Sequence, residues 1–199
     1  MDLQLKGRTA LVTGASRGIG LGVAEVLAQE GRNLHLAARS ETALEEARAK
    51  ITSATGVKVT CHALDLGVSE NAVRLARECG DVDILINNAG AIPQGTITDL
   101  DETAWRAGWE LKLFGYINLT REVYRRMVER KDGVIVNVIG GAGERPSAGY
   151  IAGSIANSGL MTLSRALGAD SPKHGVRVLG LNPSATATER GIDIWRTRA

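Results

Sequence analysis

The stretch "RTALVTGASRGIG", residues 8–20, decides how the rest of the chain is read. Its first half is an apolar run suited to a buried strand, and its second half is a glycine-rich turn that opens a helix. Within "TGASRGIG" (13–20) the glycines fall at 14, 18 and 20. Gly14 permits the sharp turn off the strand, Gly18 lets the backbone approach an anion, and Gly20 lets helix and strand pack closely. Ser16, Arg17 and Ile19 complete the loop, and the N–H groups at the helix N-terminus then hold a pyrophosphate. Such a glycine motif is weak evidence alone, but at a first strand-to-helix junction it points strongly to dinucleotide binding.

Working outward, short β-rich runs alternate with longer amphipathic patterns. Strands are expected over 8–14, 33–39, 57–65, 82–90, 133–140 and 175–184, the fourth and sixth running into loops. Helices are expected over 19–30, 41–54, 69–79, 101–130 and 150–170, with a helical tail at 188–197. Ser69 is the expected N-cap of the third helix, and Asp132-Gly133 ends the fourth. Runs such as "VIVNVI" and "DILI" are apolar at consecutive positions, as when helices cover both faces of a parallel sheet. The chain therefore predicts an α/β fold, a doubly wound parallel sheet with ligands at the carboxyl ends of its strands. With no repeat, linker or low-complexity segment, residues 1–199 form a single domain.

Composition narrows the function. The chain is 44% hydrophobic and 23% charged, a globular balance, and a net charge of +2 spread along the sequence excludes a nucleic-acid surface. No run of 18 apolar residues occurs, so no membrane span is expected, and "MDLQLKGRTALVTG" is not expected to act as a secretion signal. Cys61 and Cys79 fall at a strand end and a helix end, and His35, His62 and His174 are scattered. No metal site is expected, and the thiols read as reduced in a cytoplasmic protein.

Three motifs in order, "TGASRGIG" (13–20), "NNAG" (87–90) and "NPSATAT" (182–188), resemble the short-chain dehydrogenase/reductase family over essentially the whole chain. The resemblance implies a Rossmann fold, a nicotinamide cofactor, and a carbonyl or alcohol substrate. It places Asp65 and Leu66 near the adenine, and Asn87, Ala89 and Gly90 on the adenosine-ribose side. Pro183 to Thr188 would lie at the nicotinamide end. An NAD-binding chain of this kind carries an acid at the end of the second strand, where this one reads "LAARS" with Arg39. A guanidinium pairs with a 2′-phosphate, and Arg17 adds a second positive charge, so NADP(H) is expected over NAD(H). The family also runs on through a seventh strand and a closing segment, so the last strand of the sheet is expected to be missing here.

The family's chemistry rests on Tyr-x-x-x-Lys, a Ser thirteen residues before the Tyr, and an Asn on the preceding long helix. Two registers are possible. Taking Tyr150 at face value puts Ser154 at the Lys position and Asn137 at the Ser position. Anchoring on "NSGLMTLSRAL" instead puts Asn157 at the Lys site, Gly153 at the Tyr site and Gly140 at the Ser site. "KLFG" (112–115) puts Lys112 at the Asn site. The second register agrees at both flanks and is preferred, so all four positions depart from the pattern. Tyr150 lies one helical turn from Gly153, on nearly the same face, and Lys112 offers a cation that would stabilise its phenolate. Tyr150 as proton donor with Lys112 as partner is one reading; an ordinary helix-start tyrosine and a solvated lysine is the other. Ser147, Ser154 and Asn137 are lesser candidates. A non-enzymatic dinucleotide-binding sensor or assembly protein is the rival to an oxidoreductase. The stripe Trp105, Trp109, Leu113, Ile117 and Tyr124 reads either as core or as part of the helix pairing that makes family members homodimers or homotetramers.

Overall fold

The computed structural model describes residues 7–184 and 186–188. Strands β1 (Thr9–Thr13), β2 (Asn33–Ala38), β3 (Val59–Ala63), β4 (Ile84–Asn87), β5 (Gly133–Val138) and β6 (Val176–Leu181) form one sheet in the order β3-β2-β1-β4-β5-β6, every pair parallel. The order reverses between β1 and β4, which makes the crevice above those two strands the switch point. Helices α1 (Gly18–Gln29), α2 (Glu41–Thr55), α3 (Ser69–Cys79), α4 (Glu102–Trp109), α5 (Gly115–Arg130) and α6 (Ile151–Asp170) make the crossovers. The doubly wound α/β expectation holds, with element ends within about two residues for most segments.

Alternation along the strands fills both faces. Ala10, Val12, Leu34, Leu36, Ile84 and Ile86 pack against α1 and α2 with Ala24, Leu44 and Ile51. Leu11, Ala37, Leu85 and Ile135 point the other way, onto Leu75 of α3 and Leu119, Val123 and Met127 of α5. The consecutive apolar residues in the sequence are thus two interleaved period-2 faces, each covered by helices.

Three local expectations are corrected. Residues 101–130 do not form a single regular helix, because Glu110–Phe114 is a π-helical turn between α4 and α5. Such turns are frequent at functional sites, and this one carries Lys112 into a buried position. The N-cap of α3 is Val68, not Ser69; the Ser69 hydroxyl instead accepts from Asn118 Nδ2 at 3.2 Å. Cys61 lies in the middle of β3 rather than at its end. The tail beyond Thr188, expected as helix, lies outside the described residues.

Candidate active site

The two loops at the switch point are tied to each other by one hydroxyl and one amide. Thr13 Oγ1 donates to Ile86 O and accepts from the backbone N–H of Asn88 at 2.9 Å and of Ala89 at 3.0 Å. Asn88 Nδ2 donates in return to Thr13 O at 3.0 Å and Gly14 O at 3.3 Å. The approach is so close that a Cβ at Gly14 would sit 2.9 Å from the Ala89 Cα, and Gly14 has φ +65°, where an L side chain is strained. A Cβ at Gly20 would overlap the Gly14 carbonyl, so helix α1 starts directly against the turn.

That start is built for an anion. Arg17, in the N-cap position, has an extended backbone and makes no side-chain cap, and the first turn of α1 carries no acid. Its N–H groups are therefore left for a ligand, with the positive end of the helix behind them. Arg17 and Arg39 are both exposed, and Arg39 follows the end of β2 directly. Ser16 and Ile19 are half-buried beside this loop, and Thr188 lies across from Gly18, its Cγ2 3.5 Å from where a Cβ would stand. These residues fit a dinucleotide phosphate, since the helix start combines backbone N–H groups, an arginine, a serine and glycines with no acid in its first turn.

The other expected cofactor residues are placed less uniformly. Asp65 shapes its own turn, its Oδ1 accepting from Gly67 N at 2.9 Å, while Leu66 is a core residue. Ala89 and Gly90 lie in the loop after β4, half-buried, and Pro183 follows β6. Asn87 is committed to the scaffold: its Nδ2 donates to Thr120 Oγ1 and Asn137 Oδ1, both at 2.9 Å. Asn137 passes the chain on to Ser164 Oγ at 2.9 Å and is fully buried, which removes it as a group for polarising a carbonyl. Ser154 is occupied too, its Oγ accepting from Ser147 N at 3.2 Å.

Beyond β5 the four positions of the preferred register come together. Lys112 Nζ donates to the carbonyls of Val138 at 3.0 Å and Ile139 at 3.1 Å and to the Tyr116 hydroxyl at 3.3 Å. The lysine is therefore buried, not a solvated charge, and its aliphatic stem lies over Gly90. Tyr116 donates onward to Val138 O, and full burial pushes its phenol above the ordinary tyrosine range. Gly140 comes next on the chain, with φ +132°, and a Cβ there would stand 3.1 Å from Asn157 Nδ2. Asn157 is buried, and its Oδ1 has no hydrogen-bond partner among the described residues. A Cβ at Gly153 would overlap the ring of Tyr150, so that ring stands where a side chain at 153 would begin.

The surroundings hold Tyr150 in place. Gly95 N donates to Gly149 O at 2.8 Å, pinning the loop after β4 across the start of α6. Ile92, Ala152, Ala156 and Trp109 pack around the tyrosine, and Trp109 Nε1 donates to Ala152 O at 3.0 Å. Trp105 and Trp109 thus belong to the core of the chain itself. Sequence reasoning missed Thr13, Asn88 and Tyr116 as positioning residues. Thr13 and Asn88 left a trace, inside the "TGASRGIG" and "NNAG" motifs, and Tyr116 left none.

Asn88→Ala removes the amide that donates to the Thr13 and Gly14 carbonyls at the switch point. The expected loss is about 1–3 kcal/mol of stability, measured by urea unfolding, together with weaker dinucleotide binding; unchanged binding would show that the tie does not set the loop.

Comparison with known proteins places this geometry. The short chain dehydrogenase family profile matches residues 8–199. A 3-oxoacyl-acyl-carrier-protein reductase of Chlamydia muridarum is 30% identical over 193 residues, covering 95% of this chain and 78% of that protein. The crystal structure of L-sorbose reductase from Gluconobacter frateurii, complexed with NADPH and L-sorbose, is 30% identical with a TM-score of 0.93. It covers 100% of this chain and 77% of the reductase. An NAD+-bound xylitol dehydrogenase is 26% identical with a TM-score of 0.85, over 92% of this chain and 72% of that one.

Proposed function

The chain belongs to the short chain dehydrogenase family, as an oxidoreductase of the NAD(P)-dependent kind, and on that footing we propose that it interconverts a small carbonyl and its alcohol with NADP(H), using Tyr150 as proton donor. The observation that carries the reading is the Tyr150 ring lying in the space of the side chain absent at Gly153. Deleting one side chain and filling its place from one turn earlier keeps a phenol at the same wall of the cleft.

The bound nicotinamide supplies or accepts hydride. For reduction, the Tyr150 hydroxyl gives its proton to the oxygen that becomes alkoxide, and the phenolate left behind needs positive charge nearby. Lys112 provides it from the end of β5, held by the Val138 and Ile139 carbonyls. The unpartnered Asn157 Oδ1 is an acceptor for a hydroxyl of the bound ligands. Arg17 stands at the uncapped start of α1 and Arg39 directly follows β2, and two exposed cations on these neighbouring loops favour a 2′-phosphate over a bare ribose hydroxyl. The relatives themselves divide on this point, with NADPH in the sorbose reductase and NAD+ in the xylitol dehydrogenase.

The protein self-associates, in this reading, through the outer face of α6. Ile155 is 46% exposed there, beside a groove of about 580 Å³ lined by Pro146, Ala148, Ile151 and Gly159. Light scattering is expected to give a dimer or tetramer, and a monomer at micromolar concentration contradicts it.

Two substitutions test the chemistry. Tyr150→Phe is expected to lower kcat about 10²–10⁴-fold on a reducible carbonyl, with NADPH binding by fluorescence unchanged. Equal rates would remove Tyr150 from the mechanism, while tight NADPH binding with no turnover in the wild type would favour a sensor. Arg39→Glu is expected to weaken NADPH at least about tenfold, the value of a charge-assisted hydrogen bond, and to spare NADH; a parallel loss for both would place Arg39 outside the 2′-phosphate site.

A further inference from the structure

Side chains separated by up to 44 positions meet between β2, β3 and α3. His35 Nδ1 lies 2.8 Å from His62 Nε2, and Cys79 Sγ lies 3.6 Å from the same Nε2. On its other side His62 Nδ1 is 3.1 Å from Glu78 Oε2. A carboxylate only accepts, so the His62 proton belongs on Nδ1 and the Nε2 lone pair faces inward. Two donors, the His35 Nδ1–H and the Cys79 S–H, then compete for that single lone pair. All three ligand atoms fall within 4.8 Å of one another, and His62 and Cys79 are buried.

We propose that His35, His62 and Cys79 bind a zinc ion, with Glu78 orienting His62 from outside. The donor set is two imidazoles and one thiol, the types that zinc takes, and a fourth tetrahedral position is left for water. Zinc bonds of about 2.0–2.1 Å to nitrogen and 2.3 Å to sulfur put tetrahedral ligand atoms about 3.3 Å apart for two nitrogens and about 3.6 Å for nitrogen and sulfur. The cysteine–histidine spacing already has the second value; the two histidines need to open by about half an ångström. Glu78 on the far nitrogen of His62 is the carboxylate–histidine arrangement that fixes a metal-binding tautomer.

Burial holds the His35 imidazolium down to about 4 and pushes the Cys79 thiol up to about 12. On binding, zinc displaces the thiol proton to solvent, and His35 moves its proton from Nδ1 to Nε2. The site joins the edge strand β3 and the end of α3 to β2, so it acts as a structural tie. Cys61 is excluded from it, because successive strand residues face opposite sides and its Sγ donates to Leu44 O at 3.4 Å.

The full chain, stripped of metal by a chelator, is titrated with Co(II) as an optical surrogate and then with Zn(II). One equivalent of Co(II) is expected to bind with a thiolate-to-cobalt charge-transfer band that Zn(II) abolishes, and Zn(II) is expected to raise Tm. Cys61→Ser keeps the band, Cys79→Ser loses it, and Glu78→Gln weakens binding about 10–100-fold. Absence of the band in the wild-type chain at saturating Co(II), or its survival in Cys79→Ser, overturns the site. The first of these is read on the unaltered protein, so a misfolded variant does not obscure it.

Discussion

The Thr13 hydroxyl is the constraint on which the rest of the site depends. It joins the end of β1 to the start of the loop after β4 by accepting two backbone N–H groups and donating to Ile86 O. Asn88 closes the same joint from the opposite side. The joint sits where the strand order reverses, so it sets the width of the crevice and the height at which α1 begins. With Gly14 and Gly20 leaving no room for side chains, the uncapped helix start is held against the β4 loop, and through Gly90 against the Lys112 stem. Phosphate cradle and chemical cleft are two sides of one packed junction.

Much of this was legible in the sequence. The strands were readable because both faces of the sheet are covered, which makes "DILI" and "VIVNVI" apolar throughout, and the glycines of "TGASRGIG" announced a turn that only glycine fits. The limits have physical causes. The π turn at Glu110–Phe114 inserts an extra residue without changing the apolar periodicity enough to be seen. Ser69 has the chemistry of a cap, but the helix begins one residue earlier and the hydroxyl is claimed by Asn118. His35 and His62 looked scattered because strand pairing, not sequence spacing, brings them together: β2 and β3 are adjacent, His35 stands opposite Thr60 and His62 opposite Ala37, and the two rings meet diagonally across the strands. The Trp105 and Trp109 stripe could be core or interface by periodicity alone; within the chain both rings pack on the Ile92, Ala152 and Ala156 cluster, and the Trp109 indole donates to Ala152 O.

The proposed chemical half rests on positions that pack in pairs. A glycine at 153 makes space that the Tyr150 ring fills; a glycine at 140 takes up a φ that a serine would adopt only under strain; Asn157 then reaches toward that glycine. Lys112 enters the same region from the π turn with its ammonium buried, which costs free energy unless carbonyls and a hydroxyl surround it, as they do here. In the proposed reading each of these residues accommodates another, Tyr150 the glycine at 153 and Asn157 the glycine at 140. The most direct test is a crystal structure of the chain with NADPH and a ketone that is not reduced. The account predicts the Tyr150 hydroxyl within about 2.6–3.2 Å of the ketone oxygen; a ketone oxygen held by other groups, with Tyr150 turned away, would contradict it.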